Sequence, residues 1–496
     1  MLVDDSLIDE CRFFYRMKEL HRVKVVRILL LMTFLKVYLL YINFSKRVCY
    51  THDKYQTIVK GVNRMSEMHL TVLYYSTGLH PASWRLPHSH IDEVGDIDFQ
   101  VKIAQLAEKG KLDAFFLGDG QYISGEETGH ISYYFEPITV LAALSRETQY
   151  IGLISTISST FYEPYLAARM LSSLQQLSQG RIGANIVTSQ FDAEAHNFSM
   201  NHLPPLEQRY ARADEFVTVM KKLWNSFTTE AIINDRDKGE GLDSQYIHPI
   251  QHNGDSFKVD GAINIPTSAN DRPLLFQAGT SLPGRALAAK HVEAIFSIAW
   301  NRQDAQDFRA DIHHRAESEQ RRPPLVLPGL TVYVDETYEQ AAQLKAQLDD
   351  FIPLAKRRMQ LSKALGKDIS DWDLDARVPQ LPDYSKLTRK VTRSLYEAIK
   401  RACEEEELSL RQLLDRFGTW VGHKTIVGTP EQVAQEMIDW YETDACDGFM
   451  LMPPTYPESF EKFVDLVIPI LQERGYFRKM YSEHTLKGHL NREVLD

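Results

Sequence analysis

Asp119 closes GKLDAFFLGDG (110–120), a compact apolar run that ends in a glycine-flanked carboxylate. The same arrangement recurs along the chain with neutral groups. Thr156 ends the apolar run YIGLIST and Ser158 and Thr160 follow it; Asn185, Thr188 and Ser189 close or follow RIGANIV; Thr280 and Ser281 follow LLFQAG. This set is rich in hydroxyls and amides and poor in charge, which suits hydrogen bonding to a bound molecule better than proton transfer between paired acids. The loop QAGTSLPGRALA adds an anion site. Gly279 and Gly284 bracket a turn that feeds a helix start, where free backbone N–H groups and the positive dipole end attract a phosphate and Ser281 adds a hydroxyl. Arg209 and Arg212 flank Tyr210 at another helix start and could supply charge.

Two other chemistries have weaker support. His88 and His90 form an HSH motif of the kind that binds a metal at the first strand of a barrel hydrolase. Here the pair lies well past Tyr75, and the last apolar run ends LMPP without the acid such a site needs. Asp119 and Glu163 could be read as a glycosidase pair, but Glu163 precedes Pro164 and serves equally as a helix-start acid.

The elements that must position these residues follow a regular order. LTVLYY (70–75), DAFFLG, YIGLIST (150–156), RIGANIV (181–187), LLFQAG, VEAIFSI, LTVYV (330–334) and GFMLMPP read as eight short buried strands. Helical periodicity lies between most of them. One helix carries Ile97, Val101, Ala104 and Ala107 and stops at Gly110. A second starts at Pro164, with Leu166, Met170, Leu174 and Leu177 on one face and Gly180 at its end. A third spans Tyr210 to Phe227, and TPEQ (429–432) is a capping box opening another. Eight strands alternating with helices predict a (β/α)8 barrel of the TIM type, and no GxGxxG follows the first strand to favour an open dinucleotide-binding sheet. In such a barrel the ligand site is built at the C-terminal ends of the strands, which explains why a buried strand delivers Asp119. Residues 228–272 and 352–427 break the alternation and read as insertions after the fourth and seventh strand–helix units.

The chain of 496 residues, 44% hydrophobic, is long enough for a barrel with insertions, and its net charge of -11 with no basic block excludes nucleic acid as a main partner. Cys11, Cys49, Cys403 and Cys446 form no CxxC and fit a reduced, cytoplasmic protein. Residues 1–67 are basic relative to the rest and contain the apolar run Ile28–Phe44, interrupted by Lys36 and short of the about twenty apolar residues of a membrane span. No small-residue cleavage site follows the run. The segment reads as an appendage outside the fold, with Met65 or Met68 just before the first strand; 68–478 read as the barrel and 479–496 as a tail.

GLHPASWR, EKGKLDAFFLGDG, STFYEPYLAARMLSSLQQLSQGRIGANIVTS, NFSM, RYARADEF, LFQAGTSLPGRALAAKH and IVGTPEQVA stand in an ordered series from about Met68 to about Arg478. This series resembles the flavin-dependent monooxygenases related to nitrilotriacetate monooxygenase component A, within the bacterial luciferase-like group. The resemblance implies a barrel that binds FMNH2 delivered by a separate NAD(P)H-dependent flavin reductase. It also implies O2 as co-substrate, a small organic substrate of the aminopolycarboxylate, sulfone or alkane type, and a dimer or tetramer. Matched motif by motif, the family's flavin contacts fall on Asp119, Thr156, Tyr210 and Ser281, with Asn185 a further candidate. Tyr210 and Ser281 are expected at the phosphate, Asp119 and Thr156 nearer the ring system. His80, on the loop after the first strand, is the candidate proton donor or hydrogen-bond partner in the chemistry.

The chain departs from the family pattern at two positions. Leu206, in LEQRY, stands where many relatives have histidine four residues before the tyrosine, and Gln190 stands where the alkane-oxidising relative has histidine. Neither histidine's role carries over. A luciferase-like protein that binds flavin without turnover is the alternative these departures leave open.

Overall fold

A computed structural model of the chain describes residues 67–123, 135–268, 271–387, 391, 393–417 and 423–491. The chain divides between Glu67 and Met68, and the second unit holds the fold. The run Ile28–Phe44, Cys11 and Cys49 lie outside the described residues; among those described, no helix is long and apolar enough to cross a membrane.

Eight parallel strands close a barrel. In chain order they begin with β1 (His69–Tyr74), β2 (Ala114–Leu117), β3 (Gly152–Ser158) and β4 (Ile182–Val187). These are followed by β5 (Leu274–Gln277), β6 (Ala294–Ser297) and β7 (Leu325–Val334). One further strand, β8 (Lys424–Gly428), precedes β9 (Gly448–Leu451). Neighbours pair in sequence order from β1 to β7, and β9 lies between β7 and β1 to complete the ring. Nearly every barrel residue is buried because the strands face packed side chains inside and helices outside.

The outer helices include α1 (Ile97–Lys109), α2 (Pro137–Glu147), α3 (Pro164–Leu177), α4 (Leu206–Trp224) and α5 (Leu282–His291). After them come α6 (Arg302–Ser318), α7 (Tyr338–Asp350), α8 (Leu354–Leu365), α9 (Arg393–Glu406), α10 (Leu410–Phe417) and α11 (Pro430–Glu442). Their starts are chemically marked. Asp96 accepts from Asp98 N ahead of α1, and Thr429 and Gln432 form the capping box of α11.

Four elements differ from the sequence reading, and α4 is one: it begins at Leu206, four residues before Tyr210, and ends at Trp224 rather than Phe227. On α3 the buried face is Ala167, Ala168, Leu171 and Leu174, while Leu166 and Leu177 are half-exposed. The two alanines allow close packing, and Trp224 of α4 donates from Nε1 to Ala168 O over 3.3 Å. The helix ends at Ser178 rather than at Gly180. Strand β7 begins five residues before the LTVYV run: its first half, LVLPG, pairs with β6, and Pro328 faces Ser297, the last residue of β6, where that ladder ends. Its second half pairs with β8, which extends the sheet beyond the barrel. Strand β8 was absorbed into the second insertion because its residues are only partly buried and lack a continuous apolar run.

The first insertion holds two short hairpins, Ile232–Asp235 with Glu240–Leu242 and His252–Asn253 with Lys258–Val259. The second is helical and has its own apolar cluster, in which Leu361, Tyr396, Leu413 and Phe417 pack with Trp300 from the end of β6.

Residues 479–491, set apart in the sequence as a tail, close the floor of the barrel. Leu486 packs where a Cβ on Gly152 or Gly183 would lie. Tyr481 OH donates to Leu112 O over 2.7 Å. Beneath β1, the fully buried Asp113 accepts from Leu70 N at 2.6 Å and from Arg478 Nη2 at 2.6 Å, and His69 Nδ1 lies 3.2 Å away. Burial pushes its carboxyl up, but Arg478 and His69 outweigh that and hold its pKa at about 2.

Candidate active site

The C-terminal ends of the strands carry the polar residues singled out in the sequence. Thr156 and Asn185 are register partners on β3 and β4, both buried, and Asn185 Nδ2 donates to Thr156 Oγ1 over 3.1 Å. Thr156 Oγ1 in turn donates to Leu117 O at the end of β2, 3.0 Å away. This chain leaves Asn185 Oδ1 buried without a hydrogen-bond partner.

The other hydroxyls of this region serve the frame. Ser158 and Ser189 share a 2.9 Å hydrogen bond and Thr160 Oγ1 donates to Thr188 O over 2.9 Å, so they join the ends of β3 and β4 rather than facing a ligand. Asp119 lies just beyond β2. Burial, and then the Glu136 carboxylate, push its pKa up to about 6 against opposing hydrogen bonds from Gly120 and Gln121.

A cradle forms between α4 and α5. Ser281 caps α5 by accepting from Gly284 N at 3.2 Å, and its hydroxyl donates to Tyr210 OH at 3.3 Å. A Cβ on Gly284 would lie 2.9 Å from Tyr210 OH and 3.1 Å from Ser281 Oγ; one on Gly279 would lie 3.1 Å from Tyr210 OH and would collide with Gln277 Nε2. The absence of side chains at Gly279 and Gly284 thus lets Tyr210 OH, Ser281 Oγ and Gln277 Nε2 converge at a helix N-terminus. Arg209 and Arg212 do not serve it. Arg209 Nη1 donates to Thr188 O and Ser189 O, while Arg212 donates to Ser159 O and lies over the Phe257 ring.

His80 is buried, with both ring nitrogens engaged. Nδ1 accepts from Ala82 N at 3.1 Å, which puts the proton on Nε2, 3.2 Å from Asp349 Oδ1. Asp349 is held in turn by Lys345 at 2.6 Å. His80 borders a cavity of about 340 Å³ whose wall includes Trp300, Thr331, Tyr333, Lys345 and Arg416. At the inner end of β8, His423 packs where a Cβ on Gly329 would lie, and burial pushes its pKa down to about 4.

Trp300, Tyr333 and His423 were not singled out in the sequence. Trp300 lies three residues past β6 and was findable by the strand-end rule that found Asp119; Tyr333 sits inside an apolar run and His423 just before the unrecognised β8. The other candidates do not converge here. His90 pairs with Glu93 and Glu458, and Glu163 is exposed and lies 3.7 Å from Arg212. Among the described residues no three His, Cys, Asp or Glu side chains are grouped to hold a metal.

Comparison with known proteins gives a consistent result. The model of the luciferase-like monooxygenase family matches residues 78–447. The chain is 38% identical to N-acetyl-S-(2-succino)cysteine monooxygenase of Bacillus subtilis (strain 168), over 87% of this chain and 98% of that protein. It is 37% identical to nitrilotriacetate monooxygenase component A of Aminobacter aminovorans, covering 87% and 97%. The solved structure of EDTA monooxygenase from Chelativorans sp. BNC1 superposes with a TM-score of 0.74 at 33% identity, covering 86% of this chain and 98% of that one.

Proposed function

The chain belongs to the luciferase-like monooxygenase family, and from this premise we propose that it is the oxygenating half of a two-component system. It is a flavin-dependent monooxygenase that takes FMNH2 from a separate NAD(P)H-dependent reductase and uses O2 to oxidise a small organic substrate in the cytoplasm. The observation that carries the reading is the pair of complementary surfaces at one end of the barrel. One is the amide–hydroxyl wall of Thr156 and Asn185, with an open buried acceptor; the other is the cradle of Tyr210 and Ser281, whose polar atoms close in on two glycines. Together they fit a flavin mononucleotide, with the phosphate at one surface and the ring system at the other. Tyr210 and Ser281 would hold the phosphate; Asp119, Thr156 and Asn185 would face the ring end.

Bound reduced flavin supplies the electrons with which dioxygen is activated. The chain's own residues set the conditions for that chemistry. The buried wall from β3 and β4 excludes water, which otherwise diverts the reduced cofactor into unproductive oxidation. Asp119 holds a proton on its carboxyl below about pH 6. His80 keeps its proton on Nε2 toward Asp349, so it acts on the cavity as a fixed dipole unless Asp349 moves.

The substrate takes the cavity beside His80. Its wall carries Lys345, Arg416 and Lys424 against one carboxylate, Asp415. Although the three cations are paired with Asp349, Glu406 and Glu436, their excess on the wall favours an anionic member of the class, of the aminopolycarboxylate type, over a sulfone or an alkane. The test is oxygen consumption with FMN, NADH and a generic flavin reductase, scored for oxidised product across those three types. Product from an aminopolycarboxylate supports the reading. Oxygen uptake that ends only in hydrogen peroxide with all three would leave a flavin-binding protein without turnover.

A further inference from the structure

We propose that Gln277 is a third side-chain ligand of the flavin, gripping the phosphate through Nε2 and the hydroxylated chain that carries it through Oε1. The proposal rests on the flavin reading above. Gln277 ends β5 two residues before Gly279, is only 2% exposed, and its Oε1 is buried with no hydrogen-bond partner. A buried amide with an open acceptor is costly, and where it stands beside a ligand hollow it is completed by the ligand. Its Nε2 reaches the cradle: it blocks the Cβ position of Gly279 and lies 3.3 Å from that of Gly284, the same two positions that meet Tyr210 OH.

Charge makes the third ligand necessary. A phosphate is usually met by arginine or lysine, yet the arginines nearest the cradle in sequence are committed elsewhere. Arg209 and Arg212 brace the ends of β4 and β3, while Arg285 donates to Thr280 O at 2.9 Å and pairs with Asp311 at 2.9 Å. Neutral donors must therefore surround the anion. Ser281 Oγ accepts the capping bond from Gly284 N and gives its own proton to Tyr210 OH, so while that bond stands only the Tyr210 proton faces the anion. The amide of Gln277 adds the next donor and, unlike a hydroxyl, also offers an acceptor to the neighbouring sugar-like hydroxyls.

Two substitutions read the two ends of the amide separately, with binding followed by quenching of oxidised-flavin fluorescence for FMN and for riboflavin, which has no phosphate. Gln277→Glu keeps an acceptor of the same shape and replaces the donor with a negative charge. It is expected to weaken FMN by roughly tenfold or more and to leave riboflavin within about twofold. Gln277→Leu removes both ends, so both flavins should weaken, FMN by the larger factor. FMN binding to Gln277→Glu at wild-type strength, or equal losses of FMN and riboflavin in that variant, would overturn the assignment. If Gln277→Glu does not fold, the same decision falls on Gln277→Leu, where equal losses overturn it. Wild-type protein that binds FMN no better than riboflavin would instead defeat the phosphate cradle itself, before Gln277 comes into question.

Discussion

Asn185 donates to Thr156 Oγ1 over 3.1 Å across the ladder between β3 and β4, and Thr156 passes its own proton to Leu117 O on β2. Three strands are thus tied by one short polar chain inside the barrel. Its orientation is fixed, because Leu117 O can only accept; Asn185 therefore presents Oδ1, its acceptor, to any ligand. Thr156→Val cuts this chain and frees Asn185 to rotate. FMN and riboflavin should both weaken, by about 1 to 3 kcal/mol and to the same extent, in a fluorescence titration. A loss confined to FMN would place Thr156 at the phosphate instead.

One substitution separates the cap that Ser281 makes from the phosphate contact proposed for it. As the cap of α5 it accepts from Gly284 N, so Ser281→Ala should cost about 1 kcal/mol of stability, read as a small fall in Tm. As a phosphate donor it should cost a further 0.5 to 1.5 kcal/mol of FMN affinity, roughly, while riboflavin binding hardly changes. A fall in Tm without any change in the ratio of FMN to riboflavin affinity would reduce Ser281 to a cap.

Asp119 links stability to pH with a definite sign. Its folded pKa of about 6 lies above the ordinary 3.8, so the ionised carboxylate is disfavoured in the folded state. That penalty grows as pH rises between those two values and is complete above about pH 6. An amide escapes it. Asp119→Asn should therefore raise Tm at pH 7.5, with the gain shrinking toward nothing near pH 4, in thermal melts across that range. A gain independent of pH would mean that the carboxyl is not perturbed.

The floor should respond in the opposite direction. Asp113 is held at about pKa 2 against an ordinary 3.8, so its ion pair stabilises fully above 3.8 and is lost as pH falls toward 2. Arg478→Met leaves a buried carboxylate with only Leu70 N and His69 to meet it and should destabilise by about 3 to 5 kcal/mol at neutral pH, measured by urea unfolding. Near pH 2.5 the difference from wild type should narrow. A constant difference would assign the loss to packing of the arginine stem.

What could be read in advance depended on how local the signal was. The barrel strands are short apolar runs with polar residues at their ends, so their order and the positions of Asp119, Thr156 and Asn185 followed from the chain itself. Tyr210 and Ser281 lie 71 residues apart and meet at 3.3 Å, a contact that the family pattern suggested and spacing alone did not. The first half of β7 was hidden by Pro328 and Gly329, which look like a turn. The apolar stripe read for α3 holds at Leu174 and Met170 but fails at Leu166 and Leu177, because two leucines outweigh two alanines in an apolar count, whereas close packing prefers the alanines. The cavity was beyond reach for another reason: Trp300, Tyr333 and Arg416 come from the loop after β6, from β7 and from α10, and the first two resemble ordinary core residues until those elements are in place.

Arg209 and Arg212 turn their guanidinium groups toward strand-end carbonyls, and this has a consequence for traffic between proteins. A pocket that grips an anion with guanidinium draws it in by long-range attraction and lets go reluctantly, at a rate that shifts with ionic strength. A pocket of hydroxyls, an amide and a helix end acts only at contact distance. Handover of a dissociable cofactor would then be governed by shape and by the supply of the cofactor, and turnover should change little when salt is raised from dilute buffer to physiological strength.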